Sequence, residues 1–441
     1  MSFRWMGEDK ILTALEKTLT FSPADQTEVT LSVGSWALTR FANSYIHQNM
    51  ASESISARVR VVFGKKVAAA YADVAGEDGL KDLISRAVEM ARHQDDNPDF
   101  VSLPEASDAQ TTRQVPKTYS DATAECTAEH RASLVRAVIA ESDRVSGSAA
   151  GSLATWAFEH AVANSLGIRS YYRSTAARLT TVITCPEGGF GYASASSVDL
   201  DNIDVHAVGR EASETARASA NPVEVEPGEY ECVLSPYAVA EVINYFVHLG
   251  FWARAFQEGR SFVCGRIGEP IVGSNISIWD DGLDPRTLLR PFDAEGVAKK
   301  LVRIVDGGIA SELLYDSYAA HRERKKSTGH AGSTNPIMSP GDATMDQMIA
   351  TTERGLFVTR FHYTNVAHLM SASITGMTRD GTFLIEDGRI TKPVKNMRFM
   401  QSLIEALANV EMIGRNLKLV NSTLAPAMKV KKWRFVSATE F

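Results

Sequence analysis

Two stretches of this chain repeat each other, and the repeat limits the possible folds more than any other feature. Phe41-Ala42-Asn43-Ser44-Tyr45-Ile46 is echoed by Val162-Ala163-Asn164-Ser165-Leu166-Gly167-Ile168. Each copy leads into an alternating run (Ile55 to Phe63; Ala177 to Thr184) and then into a helical one (Leu80 to Arg92; His206 to Ser219). The spacing predicts a strand-helix unit used twice inside one domain. The Asn-Ser pairs are expected in turns, because Asn tolerates left-handed backbone and hydrogen-bonds locally.

Around the repeat, periodicity predicts an amphipathic helix near Asp9 to Leu19, then strands at Glu28 to Val33 and Ala37 to Ser44. A long surface loop is expected from Asp95 to Pro116 and a helix from Ala122 to Asp143. Acidic residues and prolines between Asn221 and Gly228 mark a boundary, giving domains at 1–225 and 226–441. Beyond it, strands at Tyr230 to Leu234, Ile271 to Trp279, Phe357 to Tyr363 and Thr382 to Ile385 alternate with turn signals. Those signals are Asp281-Gly282, Asp306-Gly307-Gly308, Asp380-Gly381 and Asp387-Gly388, dipeptides that favour tight hairpins. Helices are expected near Thr344 to Arg354 and Met400 to Met412. The fold class is α+β: an N-terminal α/β domain with a duplicated strand-helix unit, and a mostly antiparallel β C-terminal domain.

One helix of the second half stands out. Ser235 can cap it, Pro236 suits its first position, and Val239, Val242, Ile243, Phe246 and Val247 recur at helical spacing. It carries no HExxH pair to hold a metal.

At 441 residues, the chain has length for two cores without disulfide staples. A net charge of -7 weighs against a broad grip on nucleic acid or anionic lipid. The basic cluster His321 to Lys326 reads as a solvated helix end. Cys126, Cys185, Cys232 and Cys264 show no CxxC spacing, which fits a reducing compartment. No signal peptide or membrane span is read, so the expected location is cytoplasmic.

Asp280, Asp281, Asp293 and Glu295 place four carboxylates within sixteen residues. Such a density can serve acid/base work or a hard cation, although Asp-Gly and Glu-Gly are also turn signals. Ser261 follows Gly259-Arg260 with no adjacent base, and reads as a turn serine more readily than as a nucleophile. Neither a phosphate-binding glycine loop nor a GxSxG elbow is present.

Across nearly its whole length the chain resembles the TldD/PmbA family, once called modulators of DNA gyrase. The resemblance rests on Thr39-Arg40-Phe41-Ala42-Asn43-Ser44, Gly259-Arg260-Ser261-Phe262, Asp280-Asp281-Gly282, Phe292-Asp293-x-Glu295-Gly296, Glu353-Arg354-Gly355-Leu356-Phe357-Val358 and Glu386-Asp387-Gly388-Arg389-Ile390. It implies a paired metalloprotease in which one subunit carries a His-Glu-x-x-x-His zinc helix and a C-terminal Cys ligand. Counting from Val233-Leu234 and from Gly259-x-Ser261 puts that motif on Asn244 to Leu249, where Asn244, Tyr245 and Leu249 stand at the motif positions. His248 is one residue out of place, and Leu417 to Ser422 passes to Pro426 with no Cys.

The resemblance therefore implies a PmbA/TldE-like subunit with no cofactor of its own, in which the Ser235-capped helix is a remnant of the zinc helix. Zinc is expected in a TldD-like partner, and homodimerisation is possible in isolation. Unfolded, leader or modified peptides are the implied substrates. Arg260, Ser261, Asp293, Glu295 and Arg360 are the candidate residues for a peptide chamber or its structural support. Two other expectations stay open: a metal-independent hydrolase or natural-product tailoring subunit using Ser261 or the Asp293/Glu295 carboxylates, and a gyrase-associated regulator.

Overall fold

The computed structural model describes residues 6–74, 76–332 and 334–438. The first five residues of the opening stretch read for a signal peptide lie outside the described ones. Helix α1 (Glu8–Leu19) precedes strands β1 (Gln26–Ala42), β2 (Tyr45–Phe63) and β3 (Lys66–Asp73) and helix α2 (Gly76–Arg92). After the loop and a short α3 (Asp121–Ala124), the same order returns as α4 (Ala128–Asp143), β4 (Ser148–Asn164), β5 (Arg169–Thr184), β6 (Phe190–Ser197) and α5 (Val205–Ala218). The duplicated unit is thus helix, three strands, helix, larger at both ends than the sequence echo suggests. Glu28 to Val33 and Ala37 to Ser44, expected as two strands, belong to one long strand. No residue between them is a turn former in a left-handed conformation, and each pairs in register with β2.

The two units join in one six-stranded sheet of order β3-β2-β1-β4-β5-β6, with β1 and β4 antiparallel at its centre. Side chains alternate across a strand, so the odd-numbered residues of β1 share a face. Val29, Leu31 and Val33 pack with α1 and α2, and Phe41 packs with α4 and α5. Both helix pairs therefore lie on one face of the sheet, and the opposite face meets the second half of the chain.

That half begins with β7 (Gly228–Leu234) and α6 (Pro236–Gly250), followed by α7 (Ala253–Gln257). Short strands β8 (Ile278–Asp280), β9 (Val302–Asp306) and β10 (Ile309–Ala310), helix α8 (Ser317–Arg322), strand β11 (Pro336–Met338) and helix α9 (Met345–Ala350) come next. The chain continues through β12 (Arg354–His368), β13 (Ser373–Glu386), β14 (Arg389–Pro393), β15 (Met397–Ser402), α10 (Leu403–Ala408), β16 (Val410–Val420) and β17 (Thr423–Ala438). The pairing is mostly antiparallel. It also closes on itself: β7 pairs β12 on one side and β17 on the other, and β17, β15, β13 and β12 complete the ring. A ring leaves those strands without bare edges.

Ser235 caps α6 as its sequence predicts, accepting from the Tyr237 amide at 3.2 Å, with Pro236 in the first turn. The helix packs against β17, β12 and β16, and its apolar side chains sit in one core with Phe361, Phe399 and Trp433. A helix buried on most sides is held by that packing more than by intrinsic propensity.

In the second half, further expected elements differ. Ile271 to Trp279 is strand only at Ile278–Asp280, because Gly273-Ser274-Asn275 turns the chain and the Asn275 amide donates to the Val410 carbonyl at 2.9 Å. Asp380-Gly381 is not a hairpin turn but a bulge inside β13, with φ of 53° and 119°. The helix expected over Met400 to Met412 shrinks to α10, since Met397–Ser402 alternates in burial and pairs with β13. That expected over Thr344 to Arg354 shrinks to α9, capped by Thr344. Asp306-Gly307-Gly308 and Asp387-Gly388 do turn hairpins, between β9 and β10 and between β13 and β14. No helix among the described residues is long and apolar enough to cross a membrane.

Candidate functional site

Past its first turn, α6 leaves one open stripe: Glu241, Asn244, Tyr245 and His248. These positions are three or four apart and so share a helix face. Tyr245 lies across the β12–β13 hairpin, its hydroxyl donating to the Thr364 carbonyl at 2.7 Å. Burial raises the Glu241 carboxyl above its usual range, opposed by a hydrogen bond from Thr364 and by the Arg360 charge. The hairpin around Thr364 carries exposed apolar side chains, Tyr363, Val366, Leu369 and Met370, with Tyr363 72% exposed.

Leu249, in contrast, is 4% exposed and belongs to the apolar core. Asn244 and Leu249 thus point into different surroundings and do not converge on one point. An amide, a phenol and an isobutyl group at 244, 245 and 249 supply no imidazole or thiolate. β16 turns into β17 at Asn421-Ser422, where Asn421 has φ of 56°. Among the described residues no three His, Cys, Asp or Glu side chains come together as a metal requires. The residues at the implied zinc position do not fit that ion.

Ser261 is fully buried, and its hydroxyl donates to the Gly250 carbonyl at 2.5 Å while accepting from the Val263 amide at 3.1 Å. It fastens the chain after α7 to the end of α6, and among the described residues its hydroxyl meets no base. Arg260 is exposed and paired with Glu258. Arg360 on β12 binds Asp380 at the β13 bulge, its Nε 2.7 Å from Oδ2, and its guanidinium lies 4.3 Å from the Tyr192 ring centroid. Tyr192 belongs to β6, so Arg360 helps to hold the two halves together.

Asp293 and Glu295 also work at that seam. Asp293 is a turn residue: one carboxylate oxygen accepts from the Glu295 and Val297 amides and the other from the Ala331 amide at 2.7 Å. Burial, then the Glu295 charge, push its pKa up to about 7 despite those bonds. Glu295 accepts from the Ser317 amide at 2.9 Å and hydroxyl at 2.7 Å, and from Arg60 of β2 at 2.9 Å. Burial alone would raise its pKa, but the Arg60 charge and the Ser317 bonds bring it below the usual carboxylate value. Arg60 also binds Glu28 of β1 at 2.7 Å. Asp281 takes a bidentate bond from Arg113, both contacts 2.7 Å, and Asp280 is held by His330 at 2.8 Å and the Asn335 amide at 2.6 Å. All four carboxylates are buried and held by backbone amides, by neighbouring side chains or by an arginine of the first half.

The sequence pointed to these carboxylates but not to Arg60, Arg113, His330 or Asn335. No local signal marks such partners, because the Arg60 and Glu295 pairing spans 235 residues. The apolar hairpin tip was equally unmarked, since Tyr363 and Val366 read as ordinary strand residues.

Residues 227–437 match the PmbA/TldA metallopeptidase C-terminal domain, 111–220 the PmbA/TldA metallopeptidase central domain, and 27–91 the PmbA/TldA metallopeptidase domain 1. A metalloprotease of Methanothermobacter thermautotrophicus is 26% identical over 234 residues, 50% of this chain and 50% of that protein. Metalloprotease PmbA of Escherichia coli O157:H7 is 30% identical over 151 residues, 32% of each. This chain thus spans half the length of the first relative it matches and 32% of the second. The crystal structure of TldE from Thermococcus kodakarensis superposes with a TM-score of 0.86 at 19% identity, covering 97% of this chain and 100% of that one. At that identity the likeness is one of fold.

Proposed function

Because this chain belongs to the PmbA/TldD metallopeptidase family, we propose that it is a TldE-like subunit that binds no zinc itself and pairs with a zinc-bearing TldD-like chain. The pair would enclose a chamber in which unfolded, leader or modified peptides are cleaved. The observation that carries this reading is the state of α6: Asn244 is open, Leu249 is locked in the apolar core, and neither side chain is a zinc ligand. The exposed apolar tip beside that stripe supports a protein partner, since clustered exposed apolar side chains mark interaction surfaces.

The test is co-expression with a TldD-like chain carrying the His-Glu-x-x-x-His helix. The two should copurify through salt washes, because obligate interfaces bury roughly 2,000 Å² or more of largely apolar surface. Zinc should follow the partner, and peptidase activity should require both chains. Separate elution at micromolar concentration, with the partner alone digesting peptides fully, contradicts the proposal.

A further inference from the structure

The sheet face that meets the C-terminal half does not close against it completely. A cleft of about 330 Å³ remains, within the size range of ligand sites, between Trp156, Phe158, His160 and Tyr172 on β4 and β5 and the Leu288-Leu289-Arg290 segment. Its sheet wall is a row of rings: Phe158 and His160 stack with centroids 5.7 Å apart, and His160 and Tyr172 with centroids 4.8 Å apart. The row is built into the fold. Phe158 lies over Gly34 of the neighbouring β1, where a Cβ would come within 2.1 Å of the ring. Burial, then the Arg290 charge, pull the His160 pKa down to about 4, so at neutral pH its ring is an uncharged stacking surface.

The polar lining has one sign. Arg178 and Arg290 border the cleft and no carboxylate does. Arg178 lies over the Trp156 ring at 5.8 Å and among the described residues makes one hydrogen bond, to the Ser196 hydroxyl at 3.3 Å, which leaves most of its donors free there. Arg290 is exposed, and among the described residues its guanidinium has neither an ion pair nor a hydrogen bond. Two cations without counter-charges beside an aromatic wall form a recognition pattern: ring or apolar stacking for one group and a guanidinium fork for an adjacent carboxylate.

We propose that this cleft is a peptide subsite that takes an aromatic residue followed by an acidic one. It rests on the reading of the chain as part of a peptide-processing pair, and adds a sequence preference contributed by the subunit without zinc. The aromatic side chain stacks against Trp156 and Phe158, and the carboxylate meets Arg178 and Arg290 at the mouth.

The test uses the full chain alone and a capped, fluorescently labelled tetrapeptide carrying phenylalanine followed by aspartate. Its binding is compared, by anisotropy, with peptides in which lysine replaces the aspartate or alanine replaces the phenylalanine. The first peptide should bind at least about tenfold more tightly than either control. The Arg178→Gln, Arg290→Gln double variant, checked for unchanged thermal unfolding, should lose the preference for aspartate over lysine. The single Arg290→Gln variant, altered only at an exposed side chain, should already reduce it. Equal affinity for all three peptides, no measurable binding, or a preference that survives the double substitution overturns the proposal. Copurification with a TldD-like chain is scored separately. Its failure with the peptide preference intact counts only against the partner reading, and its success with no preference counts only against the cleft.

Discussion

Arg60 and Glu295 form a buried ion pair, 2.9 Å between Nη1 and Oε1, that joins the six-stranded sheet to the C-terminal half. Arg60 also neutralises Glu28, which is 1% exposed, so one guanidinium serves two buried carboxylates. Burial opposes its charge, but the two carboxylates more than offset that and raise its pKa. Arg60→Met keeps much of the volume, removes the cation paired with Glu295 and leaves Glu28 with Arg58 alone, at 3.3 Å. Breaking a buried pair from one side costs about 3–5 kcal/mol, so the urea midpoint should fall steeply. A midpoint shift equivalent to less than about 1 kcal/mol, the scale of exposed pairs, removes the pair from its structural role.

Asp293 gives the fold a pH dependence of defined sign. Its folded-state pKa is near 7, against about 4 in an unfolded chain, so between those values the native state binds more protons than the unfolded one. Stability from this group is therefore greatest near pH 4 and declines as the pH rises towards 7. Glu295, held below its usual value, acts in the opposite sense and loses its contribution in acid. Urea unfolding of Asp293→Asn beside the unsubstituted protein, at intervals from pH 4 to 8, isolates the Asp293 share. The stability difference should move in the variant's favour as the pH rises to about 7 and level off above it. Parallel profiles across that range rule the assignment out.

The duplicated unit was legible because a short echo sits at the same structural place twice. Asn43 and Ser44 turn β1 into β2 with φ of 51° and 56°. Asn164 ends β4 by a different device, its side-chain oxygen accepting from the Leu166 and Ile168 amides, each at 2.9 Å. Asn serves both, so the echo survives although the turns differ. The ring of strands was not legible, since β17 and β7 pair Val430 with Cys232 across nearly the whole second half and nothing local marks a closing strand. Asp380-Gly381 shows why turn dipeptides overreach. The left-handed backbone they permit suits a bulge as well as a hairpin, and the choice fell to the Arg360 contact with Asp380. Most of the site shared this limit: each carboxylate could be read, but the partner that occupies it could not.

Gly296 should tolerate no side chain. Its φ is +76°, and a Cβ there would come within 2.5 Å of Ile168 and 3.1 Å of Val162, both in the first sheet unit's second copy. The Gly296 carbonyl also accepts from the Ser170 hydroxyl at 2.8 Å, so the turn cannot simply back away. Gly296→Ala combines left-handed strain with overpacking, each worth about 1–3 kcal/mol. Thermal unfolding should drop by several degrees, and proteolysis should open the chain between its halves before either half is digested. An unchanged melting curve contradicts the close approach seen here.

The last expectation concerns α6. If the helix lacks only two histidines, Asn244→His with Leu249→His should confer zinc-dependent cleavage; the packing argues that it does not. Positions five apart differ by about 140° around a helix, so the new imidazoles diverge unless the helix end distorts. One would stand on the open stripe and the other in the apolar core where Leu249 is 4% exposed. A buried imidazole without partners costs about 1–3 kcal/mol, so the double variant should be less stable than Asn244→His alone. A third ligand is also needed, and the Asn421-Ser422 turn offers no thiol. Equilibrium dialysis with zinc, followed by peptide digestion, should show at most weak binding and no cleavage. Stoichiometric zinc together with activity lost on chelation would mean that a third ligand reaches α6 from elsewhere in the chain, and the proposal that this chain is the zinc-free subunit would fail with it.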